Sequence, residues 1–296
     1  MNMKKHYLKY GCISLIALGV LALCGAVPNA AKIDMNAKCA LIMEVKNGNV
    51  LFAKNANERF PPASTAKIMT AIVASENMPL DTKIAVSKKA AEVEPVVAGI
   101  TPGAEYALED LLRAALIRSG NDAAKVISEG VGSTKNDFSG LMNKKAEKIG
   151  MGDTYFANAS GLPTSAKDTQ FVTARDLALM MRYALKNETI MKTLSKKTCD
   201  ITGSDGKKIH LTSINKTLFN EDDALWGKTG YTKEAKRTFV GVDASSRPRI
   251  IIAVLQSDDL WRDLAKLKTA GLELYEERQR SVFTKIRDFF VSLIFR

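Results

Sequence analysis

PPASTAKIMTAIVAS, residues 61–75, decides how the rest of the chain is read. Pro61 and Pro62 block regular structure, and Ile68, Met69, Ile72 and Val73 then recur at helical spacing, so a buried helix begins close to Ser64. Ser64 and Lys67 fall one turn apart on one face of that helix, a hydroxyl beside an amine. Taken alone, S-T-A-K reads as an N-cap serine with a solvated lysine. Two later triplets change that reading: S-G-N at Ser119–Asn121 and K-T-G at Lys228–Gly230 supply the polar groups that an acyl-transfer site without histidine requires.

Histidine is scarce, with only His6 and His210 in 296 residues. A Ser-His-Asp triad would have to use His210, and a multi-histidine metal site cannot be assembled. Lys67 must then act as base if Ser64 is the nucleophile, and it can accept a proton only while its amine is neutral. Desolvation and a nearby positive charge both favour the neutral form, and Lys228 would supply the charge.

Outward from this core, CALIMEVKNGNVLF (39–52) reads as a β-hairpin around an Asn-Gly turn. The middle, 108–184, is helical by pattern, with Ser119–Asn121 in a tight break between two helices and further helices over 137–149 and 173–186. Segments 208–214, 239–242 and 250–255 return to β-type composition, the last two separated by a polar turn at 244–249, with K-T-G just ahead of that strand pair. Helices inserted between an early hairpin and late strands imply a mixed α/β (α+β) fold, one antiparallel sheet built from both ends of the chain with a helical lobe beside it. A helix follows over 260–277. Val282, Phe283, Ile286, Phe289, Phe290, Leu293 and Ile294 then form a continuous apolar stripe beside Arg280, Lys285, Arg287 and Arg296. Residues 278–296 thus read as an amphipathic helix suited to a membrane interface; the alternative is a helix docked on the domain's own core.

Residues 1–31 read as an export signal: Lys4, Lys5 and Lys9 precede an apolar run from Cys12 to Val27, with small residues at Ala30 and Ala31. An uncleaved anchor is the alternative, and a lipoprotein signal at Cys24 is disfavoured by the bulky Leu23. The chain is expected on the periplasmic or extracellular face of the cytoplasmic membrane. Removing these three lysines takes the formal charge from +11 to +8, which suits an anionic surface, and no nucleic-acid motif accompanies it. Cys39 and Cys199 could pair in an oxidising compartment, although two cysteines in a domain this size more often sit as small buried hydrophobes.

In order and separation, S-T-A-K, S-G-N and K-T-G resemble the motifs of the D-alanyl-D-alanine carboxypeptidases, low-molecular-weight penicillin-binding proteins of the serine-peptidase kind. N-A-S-G-L-P from Asn158 and T-A-R-D-L-A from Thr173 extend the resemblance over about residues 38–277. It implies a β-lactamase/DD-peptidase-like catalytic domain over 32–277 that trims the terminal D-alanine from peptidoglycan stem peptides through an acyl-enzyme and is inhibited by β-lactams. By the same resemblance, Ser64 is the nucleophile, Lys67 its base and Ser119 a proton relay. Asn121 would hold the substrate backbone, Lys228 and Thr229 its carboxylate, and Gly230 would permit close approach. The backbone N–H groups of Ser64 and Tyr231 would form the oxyanion hole. No metal and no cofactor are called for. Two departures bear on specificity: relatives usually carry a histidine before T-A-x-D, where this chain has Lys167, Asp168, Thr169 and Gln170, and L-W-G-K stands where G-x-K is common. The competing readings are a D,D-endopeptidase, a class A β-lactamase, whose E-x-x-L-N loop is absent between 122 and 227, and a catalytically silent wall-binding protein.

Overall fold

The structure, a computed structural model, describes residues 33–132, 137–164, 169–220, 224–243 and 249–294. The export segment, Lys167, Asp168 and most of the 244–249 turn lie outside the described residues. Strands β1 (Cys39–Glu44) and β2 (Val50–Lys54) form the expected hairpin, its turn closed by Gly48 N–H donating to the Glu44 carbonyl at 3.0 Å. A 3₁₀ turn, Ala63–Ala66, leads into α1 (Lys67–Asn77). Next come β3 (Lys83–Ala85), α2 (Lys88–Ala91) and β4 (Glu105–Ala107), with β3 and β4 paired. Helix α3 (Leu108–Arg113) passes into a π-helical turn at Ala114–Arg118, followed by α4 (Asn121–Val131), α5 (Phe138–Lys148), α6 (Ala174–Ala184) and α7 (Glu188–Leu194). A separate hairpin, β5 (Thr198–Thr202) and β6 (Lys208–Thr212), precedes β7 (Leu225–Thr232), β8 (Lys236–Asp243), β9 (Ile250–Ser257) and α8 (Leu260–Ile294).

The main sheet is antiparallel with strand order β2-β1-β9-β8-β7. β1 pairs with β9, Leu41 opposite Ala253, so the two ends of the chain do share one sheet. Successive side chains of a strand point to opposite faces, and here both faces are covered. Leu41, Met43, Ile251, Ala253 and Leu255 pack into the core shared with α1, α4 and α6. Ala40, Ile42, Ile250, Ile252 and Val254 pack instead under Leu260, Leu264, Leu267 and Leu274 of α8. Each such leucine, removed from water, contributes about 2 kcal/mol.

Three sequence expectations need correction. Lys228–Gly230 lies inside β7, at the sheet's edge, rather than ahead of the strands. Ser64 lies in the 3₁₀ turn, with regular helix beginning at Lys67. The 260–277 helix and the amphipathic tail are one continuous helix of 35 residues. Its far part does not dock on the core: every side chain from Arg280 to Ser292 is exposed, Phe283 at 70% and Phe290 at 57%. Cys39 and Cys199 are both free, the first buried in β1 and the second half-buried in β5.

Candidate active site

The 3₁₀ turn that carries Ser64 is clamped from several sides. Ala63 takes a positive φ of 46° there, a sparsely populated conformation for a residue with a Cβ. Thr238 Oγ1 on β8 donates to the Pro62 carbonyl at 3.1 Å, and β7 packs along the turn. Gly230 makes that approach possible, since a Cβ on it would come within 2.8 Å of the Ser64 backbone nitrogen. Gly161 is equally constrained: its φ is +80°, and a Cβ would lie 1.8 Å from the Ala63 carbonyl oxygen.

Lys67 follows as the first residue of α1 and is fully buried. Its Nζ lies 2.8 Å from Ser64 Oγ, 2.7 Å from Asn121 Oδ1 and 2.9 Å from the Ser160 carbonyl oxygen. A neutral amine has two N–H groups and one lone pair. The Asn121 and Ser160 oxygens can accept both hydrogens, which leaves the lone pair to the Ser64 hydroxyl. The Ser160 carbonyl is held in place by the Asn158 side chain, whose Oδ1 accepts from Ser160 N, Ser160 Oγ and Gly161 N at 3.1, 3.0 and 2.8 Å.

Ser119 terminates the π-helical turn in the left-handed region, φ 67° and ψ 29°. Its hydroxyl accepts from Lys228 Nζ at 2.9 Å, and Lys228 also donates to the Thr229 carbonyl at 2.8 Å. Lys228 is 1% exposed. An ammonium has three N–H groups, so one donor remains after these two bonds for an incoming carboxylate. Thr229 is buried beside it, while the Tyr231 side chain is 66% exposed with Arg237 over its ring. Asp122, buried at the start of α4, accepts from the backbone N–H groups of Ala98 and Gly99 at 2.9 and 3.0 Å and pins that loop beside the site.

Burial holds Lys67 well below the ordinary lysine range; the neighbouring Lys228 charge acts in the same direction and Asp122 opposes both. Desolvation is thus the larger cause, ahead of the neighbouring cation on which the sequence argument leaned. Burial also brings Lys228 from 10.5 down to about 7. Below about pH 7 both folded and unfolded chains hold this proton, and the penalty of burying it is complete. Between about 7 and 10.5 only the unfolded chain binds it, so the penalty fades as pH rises. For a substrate read through the Lys228 ammonium, kcat/KM is expected to fall along an alkaline limb beginning near pH 7. The corresponding peptide carboxamide should lack that limb. Paired pH profiles measure this, and a carboxylate profile that keeps rising through the alkaline range would assign the reading to another group.

The structure brings Ser64, Lys67, Ser119, Asn121, Lys228, Thr229 and Gly230 together. It sets His210 apart on the exposed β5–β6 hairpin, where Nδ1 lies 2.7 Å from Asp200 Oδ1. The Ser160 carbonyl and Asp122 were not singled out from the sequence. N-A-S-G and the acid following S-G-N were the signals available for them.

A family model described as D-alanyl-D-alanine carboxypeptidase matches residues 26–259. The chain is 31% identical to the D-alanyl-D-alanine carboxypeptidase DacF of Bacillus subtilis, over 82% of this chain and 65% of that protein, so it spans just under two thirds of the relative's length. Among solved structures it resembles a D-alanyl-D-alanine carboxypeptidase from Mycobacterium tuberculosis, with TM-score 0.78 and 27% identity over 84% of this chain and 96% of that one. It also resembles a mutant of the Streptomyces K15 DD-transpeptidase, with TM-score 0.75 and 26% identity over 82% of this chain and 100% of the other. With a serine turn, a buried lysine and a lysine-bearing edge strand meeting as they do, and with the family model covering most of its length, the chain belongs to the D-alanyl-D-alanine carboxypeptidase family.

Proposed function

We propose that this chain is an exported serine-type carboxypeptidase that removes the terminal D-alanine from peptidoglycan stem peptides and is acylated by β-lactams. The observation that carries the reading is the Lys67 Nζ placed 2.8 Å from Ser64 Oγ with two other acceptors for its hydrogens. Ser64 Oγ attacks the carbonyl carbon of the penultimate residue as its proton passes to Lys67. The resulting oxyanion is received by the N–H groups of Ser64 and Tyr231. The C–N bond then breaks, the leaving amine takes a proton by way of Ser119, and water hydrolyses the ester to free Ser64. Lys228 and Thr229 hold the carboxylate of the departing D-alanine. Asn121 Oδ1 serves Lys67, which leaves its amide N–H groups for the substrate backbone. Asn121 and Ser160 also line a cleft of about 220 Å³.

Export rests on the amino-terminal pattern, and attachment to the membrane on the exposed stripe of α8. Among the described residues no helix is long and apolar enough to cross a membrane. The test compares residues 32–296 with residues 32–277, each incubated with a stem pentapeptide and with cross-linked muropeptides. Both chains are expected to release one D-alanine from the pentapeptide at equal rates, read by mass, and only the longer one to sediment with membranes. Faster cleavage of the cross-links would make the enzyme an endopeptidase. Membrane retention of the shorter chain would place the anchor elsewhere.

A further inference from the structure

We propose that an open cleft between the β1–β2 turn and the carboxyl ends of α5 and α6 binds the phosphate headgroup of an anionic membrane lipid, an inference that rests on the membrane-surface reading of the tail. The cleft, of about 620 Å³, is lined by Lys148, Arg182, Lys186 and Arg249, with Leu179 and Leu185 among its apolar walls and no carboxylate. Arg182 is oriented by donating to the Val45 and Lys46 carbonyls at 3.0 and 3.2 Å, contacts that leave its charge uncompensated. Lys186 sits over the Tyr183 ring at 5.3 Å. The nearby acid, Glu76, is engaged by Lys145 and by the Tyr183 hydroxyl, and among the described residues none of the four cations lies in an ion pair.

Helix dipoles account for part of this cluster, since Lys148 occupies the last turn of α5 and Lys186 follows α6. Arg182, in the last turn of α6, is favoured by the dipole too, but its guanidinium is drawn across to the β1–β2 turn, and the dipoles do not account for Arg249, which leads into β9. Four like charges around one concavity repel one another and are relieved by a multivalent oxygen anion.

The topology says where such an anion comes from. Strand β9 starts beside Arg249, whose carbonyl accepts from Val45 N–H at 3.0 Å, and ends at Ser257. Helix α8 then runs back over the sheet, and Arg278 reaches the Val50 carbonyl at 3.4 Å, at the end where β9 began. The lengths agree: eight strand residues span about 26 Å, and the helix from Leu260 to Arg278 about 27 Å. The exposed stretch with Phe283, Ile286, Phe289 and Phe290 therefore leaves the molecule at the end that carries the basic cleft. A helix lying in the interface from that point brings the cleft to the headgroups.

The test uses residues 32–296, which contain both hydrophobic cores. Binding is measured to phosphatidylcholine vesicles and to vesicles with equal parts phosphatidylcholine and phosphatidylglycerol at low ionic strength. Lys148→Ser, Lys186→Ser and Arg249→Ser combined should cost roughly fivefold per cation, about a hundredfold in all, on the anionic vesicles and nothing on phosphatidylcholine. The matched change Lys83→Ser, Lys88→Ser and Lys89→Ser should cost only a few fold. An anionic preference that survives the cleft substitutions, or is lost equally in the matched set, overturns the proposal while the tail reading stands. Failure of the unsubstituted protein to bind either vesicle would sink the tail reading and this proposal with it.

Discussion

Ser64→Ala is expected to abolish covalent labelling by penicillin and to reduce D-alanine release by about 10⁴- to 10⁶-fold. No other hydroxyl can substitute, because Lys67 Nζ lies 2.8 Å from Ser64 Oγ and its remaining contacts are oxygens that only accept. The substitution removes one oxygen from a 3₁₀ turn already held by Thr238 and β7. Thermal stability should therefore stay close to that of the parent, and the loss can be read as chemistry. Intact-mass measurement of the penicillin adduct and a D-alanine release assay on the same samples check both halves. Residual adduct formation on the alanine variant would place the nucleophile elsewhere.

Replacing Lys67 should have the next largest effect, and two replacements separate its duties. Lys67→Arg keeps a cation that cannot give up its proton at accessible pH, so acylation should fall by about 10³- to 10⁴-fold. It also forces a permanent charge and a larger head into a fully buried position, so the melting temperature should drop. Lys67→Met removes the amine while roughly preserving its volume. Acylation should be lost to a similar degree, with a destabilisation of about 1–3 kcal/mol because the buried Asn121 Oδ1 and Ser160 carbonyl lose their donor. His210→Ala is the control. With that ring 63% exposed on a hairpin and facing Asp200, activity should remain near the parent's. Stopped-flow acylation with a chromogenic β-lactam and thermal melts on all three variants supply the comparison. A large loss in the histidine variant would refute the lysine-base mechanism.

Legibility in the sequence differs from one element to the next. The hairpin 39–52 was legible because strand alternation and an Asn-Gly turn are both local signals. The helices at 138–148 and 174–184 were legible because their apolar faces repeat at 3.6 residues. Strand β5, T-C-D-I-T, was not, since it carries mixed polarity on a small exposed hairpin and packs one buried isoleucine. Strand β7 was missed, with K-T-G read as lying just ahead of the 239–242 and 250–255 pair, because its lysine and glycines are poor strand formers. They are there for the site: Gly230 admits the Ser64 turn, and Lys228 points its amine at Ser119.

The amphipathic tail was visible as an apolar stripe. That it continues α8 without a break and stands clear of the core could only be seen once neighbours were in place. The Ser160 carbonyl was signalled only by the N-A-S-G run around it, because a backbone oxygen carries no residue identity. Only the fold of 158–162 aims it at Lys67.

By itself the amino-acid order determined which groups were available: a serine and a lysine one turn apart, a second lysine near the other end, and only two histidines. Helical spacing makes the first pair a local fact. Tertiary structure alone decided their protonation. The amine of Lys67 is driven towards neutrality mainly by complete removal from water and secondarily by Lys228, and both require β1 to pair with β9 and β7 to close against the turn. Desolvation depends on everything that surrounds a group, and no stretch of sequence contains its own surroundings.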